Sequence, residues 1–171
     1  MILTVTPNPC VDKTFFVDRL VTGRKNYAPK YTCIPGGKGT NVARVVKSLG
    51  YETKAMVLVG GHTGAHIVDM IEHQDGIEVI PVWVQSPSRT ITTILETEPH
   101  IQTPLFEPGS EVTDEEAVKF RDLFRDSLNG VDLVTFSGTV PSPALDDLYA
   151  RLIKIAKERH ILTILDSHGE A

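Results

Sequence analysis

Gly36-Gly37-Lys38-Gly39-Thr40-Asn41 runs directly into Val42-Ala43-Arg44-Val45-Val46-Lys47-Ser48-Leu49. A turn so rich in glycine lets backbone come close to a ligand. The helix behind it aims unpaired N–H groups at anything anionic or hydroxylated. Val42, Val45, Val46 and Leu49 recur at i, i+3, i+4 and i+7, so a helix is predicted over 41–49, packed on a sheet through that stripe and stopped by Gly50. The segment is not a Walker A loop, because the spacing and the Ser/Thr around the lysine are wrong. Taken alone, it describes a ligand-binding turn or a plain structural one.

Outward from this turn, strands alternate with helices. Ile2 to Val5 is a short apolar run ended by Pro7-Asn8-Pro9, a buried strand and a loop. Phe15-Phe16-Val17-Asp18 and Tyr31-Thr32-Cys33-Ile34 read as further short strands, and Ala55 to Val59 as another buried one. A second helix is predicted from Gly64 to His73, with Ala65, Val68, Met70 and Ile71 as its apolar contacts. Thr113-Asp114-Glu115-Glu116 is a capping box opening a helix to about Leu128. Leu133 to Phe136 is a strand ending at Ser137-Gly138. Ser142 and Pro143 are the N-cap and first residue of a long helix that buries Leu145, Leu148, Tyr149, Leu152 and Ala156. Ile161 to Leu165 is the last strand, with Asp166 at its end. Between these, residues 77–106 carry β-branched residues punctuated by prolines 81, 87, 99 and 104, which predicts a set of antiparallel strands apart from the main sheet. The order implies a mostly parallel α/β sheet flanked by helices, with ligands at strand C-termini.

The 171 residues suffice for one sizeable core, and 41% hydrophobic with 23% charged residues is an ordinary globular balance. A net charge of −5, with no basic run interleaved with aromatics, argues against a nucleic-acid partner. There is no stretch of membrane-spanning length, and Met1-Ile2-Leu3-Thr4-Val5 lacks the charged start of a signal peptide. Cys10 and Cys33 read as reduced thiols, so a cytoplasmic location is expected. His62 and His66 are four apart but lack a third ligand at suitable spacing, which makes them a surface pair rather than a metal site.

Several blocks, in order, carry a resemblance. They are Thr6-Pro7-Asn8-Pro9-Cys10-Val11-Asp12, Pro35 to Arg44, Ser88-Arg89-Thr90-Ile91-Thr92-Thr93, Glu107-Pro108-Gly109, Ser137-Gly138-Thr139-Val140-Pro141, and Asp166-Ser167-His168-Gly169-Glu170-Ala171. Together they resemble the PfkB sugar-kinase family, with its ribokinase-like fold, and within it the 1-phosphofructokinase and tagatose-6-phosphate kinase branch. The likeness covers essentially the whole chain. The family's second signature, a Gly-Ala-Gly-Asp motif that supplies the catalytic aspartate and an anion hole, is absent from this sequence. The chain therefore resembles residues 1–171 of a kinase about twice as long, its N-terminal half. The missing part of the fold would hold most of the ATP site.

The resemblance implies roles residue by residue. Asp12 matches the substrate-binding aspartate, and a carboxylate there accepts hydrogen bonds from sugar hydroxyls. Gly36, Gly37 and Asn41 match sugar contacts, made through backbone N–H groups and a side-chain amide. Lys38 could reach a phosphate or be a solvated lysine in a tight turn. Arg89 matches the contact to the substrate's own phosphate, which a guanidinium binds in bidentate fashion. Lys25 lies where the branch places a second phosphate contact, sometimes across a dimer. Ser137 and Gly138 would touch the ligand near its reacting end. Asp166 matches a carboxylate near the metal and phosphates, or is an N-cap for a following helix. Thr139, Val140 and Phe106 depart from the branch's usual residues, with asparagine frequent in place of Phe106.

The expectation is a ribokinase-like α/β domain with a small β-lid within about 13–33 and 77–106, through which relatives often dimerise. The implied reaction is ATP- and Mg²⁺-dependent phosphorylation of a phosphosugar. Fructose 1-phosphate giving fructose 1,6-bisphosphate comes first, then tagatose 6-phosphate or fructose 6-phosphate. With no catalytic residue of its own, the isolated chain is expected to be inactive. A rival is a non-catalytic sugar-phosphate-binding or dimerising module. A dinucleotide-binding oxidoreductase fits less well, because Thr6-Pro7-Asn8-Pro9 occupies the place of its glycine motif.

Overall fold

Two sheets share one loop-rich seam in the computed structural model, which describes residues 1–168. Gly169, Glu170 and Ala171 of the last resemblance block lie outside the described residues. The larger sheet has five parallel strands in the order β5-β4-β1-β8-β9, where β1 is Ile2–Thr6, β4 Thr53–Gly60, β5 Glu78–Val84, β8 Leu133–Ser137 and β9 Leu162–Asp166. The smaller has the order β3-β2-β6-β7, with β2 at Cys10–Val17, β3 at Lys30–Gly36, β6 at Arg89–Glu96 and β7 at Gln102–Phe106.

Helices cover both faces of the large sheet. On one side α3 (Asp114–Asp126) and α4 (Leu148–Glu158) bury Phe120, Phe124, Leu148, Tyr149, Leu152 and Ala156 against Leu3, Val5, Met56, Leu58 and Phe136. The Phe136 ring sits 5.8 Å from Phe124 and 5.7 Å from Tyr149, centroid to centroid. The predicted capping box is present. Thr113 Oγ1 accepts from the Glu116 amide, and the Glu116 carboxylate accepts from the Thr113 amide. Ser142 and Pro143 open a single 3-10 turn rather than α4 itself, which starts at Leu148; the predicted buried face is nonetheless intact. On the other side α1 (Lys38–Ser48) and α2 (Gly61–Asp69) bury Ala43 and Ile67 against Ala55, Val57 and Val59. No described helix is long and apolar enough to cross a membrane.

Three expectations need correction. First, α1 does not pack through Val42, Val45, Val46 and Leu49. Its buried residues are Gly39, Thr40 and Ala43, while Val45 is 57% and Leu49 67% exposed. Close approach decides the orientation: a Cβ on Gly39 would collide with Thr6 Oγ1 and lie 2.9 Å from the Val5 carbonyl oxygen. Only a glycine edge lets the helix lie this near β1. Second, α2 starts at Gly61 and continues as a π turn over Met70–Gln74, leaving Ala65 exposed and placing Ile67 in the core with Met70 and Ile71.

Third, residues 77–106 are not one antiparallel set. β5 joins the large sheet in parallel with β4, and β6 runs parallel to β2; antiparallel pairing is confined to β2–β3 and β6–β7. Pro81 is tolerated because β5 is an edge strand. The other edge strand, β9, leaves Leu162 72% exposed, with Ile164 beside it on the side of the sheet that carries α1.

The seating of α1 makes a clear forecast for urea unfolding. Gly39→Val should destabilise the fold by about 1–3 kcal/mol through overpacking, whereas Leu49→Ala should change stability by less than about 0.5 kcal/mol. The reverse order would restore the valine–leucine stripe as the packing face.

Candidate active site

The strand order places a crevice. From β1 the chain builds outward through β4 and β5 on one side, then returns to lay β8 and β9 on the other. Crevices at such a reversal, outside the strand C-termini, are where open α/β sheets bind ligands. Thr6 ends β1 and Ser137 ends β8, and both line a cleft of about 420 Å³ there. The small sheet forms its other wall.

On the helix side, Gly37 has φ 116°, a left-handed conformation that glycine adopts without strain. This sharp bend lets α1 begin at Lys38, directly after β3, rather than at Asn41 as the sequence suggested. No side chain caps the first turn, so its leading amides have no side-chain partner, and Gly37, Lys38 and Asn41 of this turn line the cleft. One turn on, Asn41 Oδ1 accepts from Arg44 Nη1 at 3.0 Å, and Arg44 is itself held by the Pro35 carbonyl and Asp75. This bond engages the Asn41 oxygen rather than its amide nitrogen, and Asn41 lines the cleft.

The small sheet presents a patterned wall. Direct pairing puts Cys10 beside Arg89, and Asp12 beside Ile91, which in turn lies beside Phe106. All five line the cleft. Arg89 donates from Nη2 to the Asn8 carbonyl at 3.2 Å, while its Nε is buried without a partner. A buried, unpaired guanidinium N–H is costly unless a ligand satisfies it. Burial raises the Asp12 carboxyl above the usual aspartate range. Burial also pushes the Cys10 thiol up to about 11, with Arg89 pulling against it and Asp12 adding to it. Cys10 is therefore a neutral thiol at neutral pH and no nucleophile.

Across the cleft, the turn after β8 is tightly pinned. Gly138, at φ 94°, accepts at its carbonyl from Tyr149 Oη and Ser167 Oγ, both at 2.9 Å, and donates its amide to the Asp166 carbonyl. Burial, reinforced by the Asp166 charge, raises the Tyr149 hydroxyl's pKa, so it stays a donor. Lys38 Nζ lies 3.6 Å from Asp166 at the exposed rim. No group of three or more His, Cys, Asp or Glu among the described residues could hold a metal ion. Asp166, expected from the sequence near the metal and phosphates, does not line the cleft itself; it is an exposed carboxylate beside Lys38.

Of the residues singled out from sequence, Asp12, Gly37, Lys38, Asn41, Arg89, Ser137 and Gly138 come together in this cleft. Gly36 does not line it. It ends β3 opposite Cys10, where a Cβ would lie 2.6 Å from Cys10 Sγ and 2.9 Å from Asp12 Cβ, so its part is to let two strands approach. Lys25 is exposed in the β2–β3 loop, away from the cleft. Asp12 stands within β2, paired on both sides, rather than in a loop. Thr6, Asn8, Cys10, Ile91, Thr139 and His168 also line the cleft. Asn8 and Thr139 are joined by a 3.3 Å hydrogen bond that ties the first loop to the turn after β8.

The profile of the pfkB family carbohydrate kinases matches residues 5–171. The chain belongs to this family. Its ribokinase-like architecture also matches solved structures of pfkB-type kinases. A Thermotoga maritima protein described as a possible 1-phosphofructokinase is 28% identical with a TM-score of 0.88, over 97% of this chain and 53% of that one. Phosphofructokinase-2 from Escherichia coli, in complex with fructose-6-phosphate, is 26% identical with a TM-score of 0.88, over 99% of this chain and 55% of that one. The same enzyme's tetrameric inhibited form matches at a TM-score of 0.87. The pfkB chain described here thus spans about half the length of these relatives.

Burial of Asp12 carries a signed forecast. A carboxyl whose folded-state pKa is raised costs stability as pH rises from the ordinary aspartate range to the raised value, because over that window the folded state holds a proton the unfolded chain has lost. Asp12→Asn should be at least as stable as the native chain at pH 7, and the gap should narrow as pH falls toward the ordinary aspartate range. Paired urea titrations at pH 7 and at about pH 4, close to the ordinary aspartate pKa, test this; a variant markedly less stable at pH 7 would mean that the carboxylate holds the fold together.

Proposed function

We propose that this chain is the sugar-phosphate-binding half of an ATP- and Mg²⁺-dependent phosphofructokinase-type kinase. One observation carries the reading: Asp12, Asn41 and Arg89 converge on one cleft from three separate elements, beside the open N-terminus of α1. Carboxylate and amide suit hydroxyls, and a guanidinium with a buried free N–H suits a phosphate. In this reading Arg89 holds the substrate's existing phosphate, Asp12 and Asn41 hold ring hydroxyls, and the amides around Gly37 and Gly39 complete the grip. Ser137, Gly138 and Lys38 flank the hydroxyl to be phosphorylated, with Asp166 near the nucleotide's metal. Fructose 1-phosphate is the first choice of substrate, followed by tagatose 6-phosphate and fructose 6-phosphate.

Phosphoryl transfer is mostly positioning and electrostatic stabilisation, completed by a base that orients or deprotonates the nucleophile. The chain supplies the positioning. It has no Gly-Ala-Gly-Asp segment, so the base and anion hole would come from the remainder of a full-length kinase. That remainder would pack on the uncovered α1 side, where Val45, Leu49, Leu162 and Ile164 are exposed. The small sheet would serve as a lid over the sugar, and its exposed Tyr31 and Leu105 fit a homodimer formed through it, with Lys25 reaching a partner's phosphate.

Calorimetric titration of the chain with the three phosphosugars tests the reading. Saturable binding that Arg89→Ala lowers by at least about tenfold, the loss of a charge-assisted contact of roughly 1.5–3 kcal/mol, is the expected result. No binding by a folded chain, or binding indifferent to Arg89→Ala, would refute it. With ATP, Mg²⁺ and fructose 1-phosphate, the chain alone should form no ADP above background. Clear turnover would show that it holds its own base.

A further inference from the structure

The cleft has an apolar wall that the proposed contacts leave unused. Phe106 is 65% exposed, a large share for an aromatic side chain, and yet it lines the cleft. It ends β7, the outer strand of the small sheet. Register pairs Phe106 with Ile91 and Ile91 with Asp12, so the three side chains lie in one row on one face, running from carboxylate to aromatic ring. The next residue fixes the end of the strand. Glu107 accepts from the Thr90 amide at 2.7 Å through its carboxylate and donates its own amide to the Thr90 carbonyl at 3.4 Å. The end of β7 is therefore clamped to β6, and Phe106 is held at the rim.

A sugar in its ring form has a rim of hydroxyls and a face of C–H bonds. The Asp12–Ile91–Phe106 row offers a polar group for the first and a flat apolar surface for the second. We infer that Phe106 is a specificity-determining residue that stacks on the C–H face of a ring-form sugar phosphate and selects it over open-chain polyol phosphates. This rests on the reading of the cleft as a sugar-phosphate site. Arg89 and the α1 amides would hold the phosphate and hydroxyls of either ligand, whereas the ring face meets only Ile91 and Phe106. The aromatic contact thus adds to ring binding alone.

Calorimetry with fructose 6-phosphate and glucitol 6-phosphate tests this on the chain as it exists. Phe106→Ala should weaken fructose 6-phosphate binding by about tenfold, the scale of one aromatic contact, and leave glucitol 6-phosphate binding unchanged. Phe106→Tyr, which keeps the ring, should bind fructose 6-phosphate as the native chain does. Because the side chain is exposed, both variants should fold, as circular dichroism would verify. Fructose 6-phosphate binding unchanged in Phe106→Ala, or equal losses for both ligands, would overturn the inference while leaving the substrate site standing. If the native chain binds neither ligand nor fructose 1-phosphate, the substrate site itself fails and the inference falls with it; binding of fructose 1-phosphate that Phe106→Ala leaves unchanged would overturn the inference alone.

Discussion

Helix α1 lies on β1 through a glycine edge, and most of what this chain can do follows from that closeness. With Gly39 against Val5 and Thr6, the first turn of the helix is carried to the C-terminal end of the sheet, where its unpaired amides open on the crevice. The left-handed Gly37 makes this reachable without a connecting loop. A side chain at either position would push the helix outward and lift those amides away. The same seating turns the bulkier residues of α1 away from the sheet, so the constraint that builds the cleft also leaves an apolar flank uncovered.

Electrostatics then divides the cleft into regions with different tasks. Arg89 donates to the Asn8 carbonyl and keeps a buried N–H without a protein partner, and Asp12 stands farther along β2, where burial raises its pKa. Between them Cys10 stays neutral and serves as a small apolar filler. The opposite wall, from Ser137 to Gly138, is pinned by Tyr149 and Ser167 and is a rigid platform. This is the arrangement of a site that grips and orients. The small sheet brings the cation and the carboxylate, and the large sheet contributes the Ser137–Gly138 platform that faces them.

Much of this was legible in the sequence, for reasons that can be named. Thr113 and Glu116 announce a helix start through local hydrogen bonding, and that start is where they put it. The glycine-rich turn and the blocks around Asp12, Arg89 and Ser137 were legible as a family pattern, and they meet in one cleft. What escaped was non-local. Nothing in a period-two pattern says that β6 lies parallel to β2, nearly eighty residues earlier, or that β5 belongs to the large sheet. The valine–leucine stripe of α1 gave the wrong face because hydrophobicity reports what could be buried, whereas Gly39 reports how close the backbones come. Thr6, Cys10 and Ile91 carried no chemical signal of their own; only register brings them to the site.

In the proposed reading, the α1 N-terminus and the small sheet's inner row form one sugar-phosphate site. Backbone amide chemical-shift mapping during titration with fructose 6-phosphate tests it most directly, since it reports where a ligand sits. Saturable shifts are expected at Gly37, Gly39, Asn41, Arg89 and Gly138, with α3 and α4 surfaces silent. A well-dispersed spectrum that moves with neither fructose 6-phosphate nor fructose 1-phosphate, or shifts centred elsewhere, would contradict it.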